Sequence, residues 1–143
     1  MSPARVAALV TAAAAVCAGC AVGDAGAPPA VTALRTDAHC GSPSAGAARL
    51  AAAGDAVQVR LSMGRRNSGG HAVRLHAPRP VRIDDGVAVV AVDWVTPAPD
   101  AVTTAVMTRP CLEIAVPADY DGVRFVDRSG TVRGTVRWSG DRD

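Results

Sequence analysis

The residue pattern points to an all-β domain, an antiparallel β-sandwich or barrel of about seven short strands. Two observations carry this. From Asp55 onward apolar and polar residues alternate at period two, as in Val57, Val59, Leu61 and Met63 against Gln58, Arg60 and Ser62. Clusters of Gly, Pro, Asp and Asn interrupt the alternation about every eight to twelve residues, the turn spacing of all-β domains.

The N-terminal segment stands apart from the domain. Met1 to Arg5 is a short, singly positive start, and Val6 to Ala18 is an apolar run too short to span a bilayer. It reads as a secretory signal covering residues 1–19. Its end, Cys17-Ala18-Gly19-Cys20, resembles the bacterial lipobox, with Cys17 in the usual leucine position. That resemblance implies that Cys20 is the lipidated first residue of the exported chain, held firmly by several acyl chains. Ordinary cleavage after Gly23, or after Ala27 ahead of Pro28, is the competing reading. Residues 20–30, rich in Gly, Pro and Ala, read as a flexible tether. Residues 31–143 form a single β domain.

Within the domain, Val31 to Thr36 is a short strand and Asp37 to Pro43 a loop. Ser44 to Ala53 is alanine-rich and predicts one short helix, with Gly54 at its C′ position. Val57 to Met63 is a half-buried strand. Gly64 to Gly70 is a turn, and His71, Val73, Leu75 and Ala77 alternate along the second strand of a hairpin. Pro78 and Pro80 interrupt that strand; Val81 and Ile83 continue it up to the turn Asp84-Asp85-Gly86. Val87 to Val95 is apolar on both faces and predicts a central buried strand, in which Asp93 needs a partner. Thr96 to Asp100 is a rigid proline loop, and Ala101 to Thr108, rich in Val and Thr, predicts a further strand. Arg109-Pro110 ends it. Leu112, Ile114 and Val116 mark the next strand, Gly122 to Asp127 another, and Val132 to Trp138 the last, entered through the turn Asp127-Arg128-Ser129-Gly130.

Composition excludes several function classes. The 143 residues hold 15 basic side chains, all arginine, and 13 acidic ones, for a net charge of +2. Without lysine there is no P-loop and no Schiff-base chemistry. Near-neutral charge leaves no basic footprint for nucleic acid, and four aromatic residues make no base-stacking platform. No cofactor-binding motif and no small-molecule substrate site is evident.

Candidate sites are few. Beyond Cys20, two cysteines remain, Cys40 and Cys111. Export and an even count suggest one disulfide, closing a loop of about 70 residues and worth on the order of 4 kcal/mol in the chain-entropy model; two unrelated buried thiols are the alternative. Among His39, Cys40, His71, His76 and Cys111 there is no Cys-x-x-Cys or His-x3-His pair, so no metal site is expected. Ser68 lacks the flanking glycine pattern of a nucleophile elbow, Arg66 filling one of the places, and reads as a turn serine. Asp84-Asp85 and Asp119/Asp121 lie in turns. Glu113 reads as a surface charge, His71 and His76 face opposite sides of a strand, and Trp94 and Trp138 read as core. The loop Gly64-Arg65-Arg66-Asn67-Ser68-Gly69-Gly70-His71 stands out, because two arginines and a double glycine are more than a turn needs. It is the candidate partner-binding element, followed by Thr96–Asp100 and Thr108–Pro110.

The string G-R-R-N-S-G-G-H resembles the Gly-x-Arg-Pro-Thr-Gly-Gly-Tyr element of the PrcB family of protease-complex subunits. Gly64, Arg66, Gly69 and Gly70 match directly, Ser68 replaces threonine, Asn67 proline and His71 tyrosine. Thr96-Pro97-Ala98-Pro99, Thr108-Arg109-Pro110 and Gly122-Val123-Arg124-Phe125-Val126 follow in the family's order, so the resemblance spans about residues 55–127. It implies a non-enzymatic, exported lipoprotein that binds a protein partner within a protease complex and reaches the membrane through its lipid anchor. The location implied is the bacterial cell envelope; where there are two membranes, Ala21 rather than Asp after Cys20 points to the periplasmic face of the outer membrane, by analogy with enteric lipoproteins. A second resemblance is to chagasin-type cysteine-protease inhibitors, small Ig-like β domains with an Asn-Pro-Thr-Thr-Gly-Tyr loop. Asn67-Ser68-Gly69-Gly70-His71 and Arg109-Pro110 echo their loops, implying inhibition of a papain-like enzyme.

Overall fold

Residues 27–139, as described by a computed structural model, form nine strands in two facing sheets, with no α-helix. The signal segment and Cys20 lie outside the described residues. The strands are β1 Thr32–Asp37, β2 Ala45–Ala53, β3 Ala56–Met63, β4 Ala72–Leu75, β5 Arg82–Asp84, β6 Val87–Val95, β7 Cys111–Pro117, β8 Gly122–Val126 and β9 Val132–Arg137. One sheet has the order β1-β7-β3-β2; the other has the order β4-β6-β8-β9, with β5 also on β6.

Period two builds the core. Val57, Val59, Leu61 and Met63 of β3 and Leu112, Ile114 and Val116 of β7 point inward from the first sheet. Val73 of β4, Ala88, Val90 and Val92 of β6, and Val123 and Phe125 of β8 meet them from the second. Each buried large side chain contributes roughly 1.5–3 kcal/mol. β6 is buried on both faces over Val87–Val90, as its unbroken apolar run requires. On its outer face Val87 and Val89 lie beside Asp84, Arg82 and Arg124, which share ion pairs at 3.0 and 3.4 Å. Asp93 has two partners, Arg128 at 2.8 Å and His76 at 3.1 Å.

Four expectations are corrected. Residues 45–53 are a strand, not a helix: β2 pairs with β3 from Ala45↔Met63 to Ala53↔Ala56. Its alanines favour helix locally, but Leu50 alone cannot make an apolar helical stripe, and the ladder of β3 outweighs propensity. The segments before and after Gly64–His71 do not form a hairpin. β3 pairs with β2 and β7, whereas β4 pairs with β6 across the sandwich, so the loop crosses between sheets. Residues 101–107 join no strand, and Thr108 makes only an isolated bridge to Arg66. The prolines at 97, 99 and 110 frame a stretch that has to travel from one sheet to the other. Finally, the second sheet is mixed. β7 runs back through the opposite sheet, so β8 returns parallel to β6, Val87↔Gly122 through Ala91↔Val126. The break at Pro78 and Pro80 stands as expected, since β4 and β5 both pair with β6, on either side of it.

This topology gives the molecule two poles. At one, β1, β3 and β6 end and β2, β4 and β7 begin, because Asp37↔Cys111, Ala45↔Met63 and Ala72↔Val95 are paired. The other holds the turn at Gly54–Asp55 and the turn after β7, joined by Ala118 N–H to Asp55 C=O at 2.7 Å. The chain reaches β1 at this second pole. The Tyr120 hydroxyl donates to Pro29 C=O at 2.8 Å, Arg79 to Pro28 C=O at 3.3 Å, and Val31 N–H to Pro78 C=O at 2.7 Å. Six residues of β1 separate the poles, about 20 Å of strand.

Candidate partner-binding pole

Three loops meet at the first pole: 38–44, 64–71 and 96–110. Cys40 and Cys111 form a disulfide there, with Cα atoms 5.5 Å apart and both residues buried. The bridge spans a sequence separation of 71, so it ties loop 38–44 to the start of β7. Backbone bonds complete the junction. Gly41 N–H donates to Arg109 C=O and Arg109 N–H to Ala38 C=O, each at 2.7 Å; Met63 N–H donates to Pro110 C=O at 2.9 Å. Ser62, buried at the end of β3, donates its hydroxyl to Ser42 C=O at 3.1 Å and accepts from Gly64 N–H at 3.0 Å. Glu113 comes within ligand distance of the two sulfurs, but these are bonded to each other and offer no thiolate. Its carboxylate instead accepts Arg60 Nε and Nη2 at 2.9 and 2.7 Å. Expected as a surface charge, Glu113 is only 15% exposed.

Residues 64–71 form the inner layer of this pole. Gly64 is buried; Arg66, Ser68, Gly69 and His71 are half-buried; Arg65, Asn67 and Gly70 are exposed. Arg66 and Thr108 exchange both backbone bonds at 2.8 Å, Thr108 Oγ1 donates to Ser68 C=O at 3.2 Å, and Gly69 N–H donates to Thr104 C=O at 2.9 Å. The double glycine serves the chain's own packing. Gly70 has φ +84°, and a Cβ there would lie 3.1 Å from the Pro97 ring; a Cβ at Gly69 would strike the Thr104 hydroxyl. Loop 96–107 therefore rests on a glycine floor and forms the outer layer.

That outer layer holds the proline loop at 96–100 and the residues whose Val and Thr content predicted a strand that does not form. Residues 98–107 are all exposed. Val102 is fully exposed, and Val106 and Met107 are about half exposed, at 48% and 55%. Around them stand Arg65, Arg66 and Arg109, none of which is in an ion pair among the described residues. Asp37, at the rim, is already engaged: His39 N–H at 2.7 Å and Arg35 at 3.1 Å hold its carboxyl below the usual range. The pole thus presents exposed apolar side chains on a segment that starts at the exposed Asp100 and ends beside Arg66 and Arg109 at Thr108.

Ser68 and His71 meet within the inner layer, Oγ to Nε2 at 3.3 Å, a contact that the loop's sequence did not signal. Burial, and then the Arg66 charge, lowers the His71 pKa and favours the neutral ring. His71 Nδ1 is buried and faces no carboxylate among the described residues, so the pair lacks the orienting acid of a triad. Elsewhere, Arg133 stacks over the Trp94 ring at 4.6 Å, beside an open groove of about 440 Å³ lined by Arg74, Asp93, Trp94 and Asp127. Trp138 is core, as expected.

The PrcB C-terminal family model matches residues 59–117. No curated protein and no solved structure matches the chain. The matched segment runs from the middle of β3 to the end of β7 and includes both layers of the pole as well as Cys111. Over residues 59–117, this chain is similar to the PrcB C-terminal family.

Proposed function

We propose that this protein is an envelope-anchored lipoprotein acting as a non-enzymatic accessory subunit of a protease complex, and that the disulfide pole is the surface it offers its partner. The observation that carries the reading is the family match over residues 59–117, since the family is associated with a protease complex and the match takes in both layers of the pole. The two poles support the same reading. With Cys20 lipidated, the chain would approach the domain at Pro28–Val31, and the disulfide pole would face away from the membrane. Exposed valine and methionine beside unpaired arginine is the composition of an interface, with arginine positioned to reach a partner's carboxylates.

The test is co-purification from envelope extracts of the native host, comparing wild type with the Arg65→Ala/Arg109→Ala variant. Both side chains are exposed and form no ion pair, so the melting temperature should stay unchanged. Partner recovery should fall at least about tenfold, on the order of 1.4 kcal/mol. Equal recovery of the same partner would move the binding surface elsewhere.

A further inference from the structure

We infer that the segment Ala101–Met107 docks as an extended chain into the substrate cleft of an endopeptidase, with Val102 filling an apolar pocket. The inference rests on the reading of this pole as the protease-facing surface. The first observation is backbone availability. Asp100 closes a turn through Ala101 N–H to Ala98 C=O at 3.0 Å, and beyond it the segment lies in no strand. Among the described residues only Thr104 C=O within Ala101–Met107 is engaged with the inner layer. Apart from Ala101 N–H, held in that turn, the remaining N–H and C=O groups are free to form the ladder by which an extended peptide binds.

The second observation is anchorage. The segment is fastened at its middle by Gly69 N–H, at its far end by the double Arg66–Thr108 bridge, and close beyond that by the Cys40–Cys111 bond. Pro97 and Pro99 restrict its start, and Val102, Thr103, Thr104 and Val106 are stiff at χ1. A segment already ordered loses less entropy on docking, which is how protease-binding loops reach high affinity from a modest interface. The third is side-chain chemistry. No charge occurs between Asp100 and Arg109, and the most exposed apolar side chain in the described domain, Val102, sits near the turn. Arg66 and Arg109 at the Thr108 end add a partner requirement, acidic groups on that side of the cleft.

Photocrosslinking in the native host tests this. Full-length chains carrying p-benzoylphenylalanine in place of Val102, Arg65 or Val81 are expressed, irradiated in intact envelopes, and the adduct peptides sequenced. All three positions are exposed, and formation of the Cys40–Cys111 bond checks folding. The expected result is an adduct at position 102 whose partner peptide carries or adjoins the catalytic residues of an endopeptidase, with at least tenfold less from position 81. An adduct at position 65 together with none at 102, or one at 102 outside a protease cleft, overturns this inference while leaving the accessory-subunit reading standing. Absence of adducts at both 65 and 102 overturns both.

Discussion

Asp127 shows how one carboxylate organises a turn. The Ser129 hydroxyl donates to it at 2.6 Å, Arg133 reaches it through Nε and Nη2 at 2.9 and 2.6 Å, and Thr131 and Ser129 N–H groups add bonds at 3.0 and 2.9 Å. These bonds, led by that of Ser129, lower its pKa to about 2 against the pull of burial. A depressed carboxylate pKa means that the unfolded chain takes up the proton first. The contribution of Asp127 is therefore complete above the ordinary carboxylate range and is lost as pH falls through about 2. Stability measured by denaturant melts from pH 5 to pH 2 should fall less steeply in Asp127→Asn than in wild type, and the variant should be the less stable at pH 7. At this scale the sequence was partly readable. The need of Asp93 for a partner could be stated from its place in an apolar run. The identity of the partners, Arg128 and His76, 35 and 17 residues distant, could not, because no local spacing encodes them. The same holds for Glu113 and Arg60, 53 apart.

Among the elements, those with their own apolar alternation were legible and those defined by a neighbour were not. β3, β6, β7 and β8 follow from their side chains alone. β2 follows from β3, since AGAARLAAA has no face of its own to bury and becomes a strand by completing a ladder. The reverse happened at Ala101–Thr108, where strand-favouring residues found no ladder. Gly69 and Gly70 belong to the same lesson. The sequence marks them as permissive, and only the fold reveals that they let loop 96–107 lie on loop 64–71. Gly70→Ala should cost about 1–2 kcal/mol in chemical denaturation, the price of a Cβ in the left-handed region, and Gly70→Val more. Gly69→Ala should cost clearly less, because the only close obstacle is the Thr104 hydroxyl, which can rotate away. Equal losses at the two positions would contradict the two-layer arrangement.

For the whole molecule, the fold sets the three-loop pole at the end of β1 opposite to where the chain enters. The family resemblance rests on Gly64, Arg66, Gly69, Gly70 and the later Thr-Arg-Pro, and the fold brings these separated pieces together at one end through the Arg66–Thr108 bridge. What a linear reading could not supply was depth. Gly64–His71 was expected to be the tip, whereas the fold sets it beneath residues 98–107. Lipidation at Cys20 is tested by fractionation: Cys20→Ala should shift the protein from the membrane to the soluble fraction and remove the acyl mass from its N-terminal peptide. Unchanged fractionation with no acyl mass would refute the anchor and leave the pole's role to be judged separately.

The partner-binding role of the disulfide pole is tested most directly by amide hydrogen exchange on the protein alone and in its isolated complex. Residues 98–107 have few internal hydrogen bonds and should exchange rapidly in the free protein. In the complex they should slow at least about tenfold, roughly 1.4 kcal/mol of added protection, together with 64–71, while Gly54–Asp55 and the turn after β7 stay unchanged. Protection confined to the second pole or to the outer face of β4 and β6, with 98–107 still exchanging freely, would contradict the account.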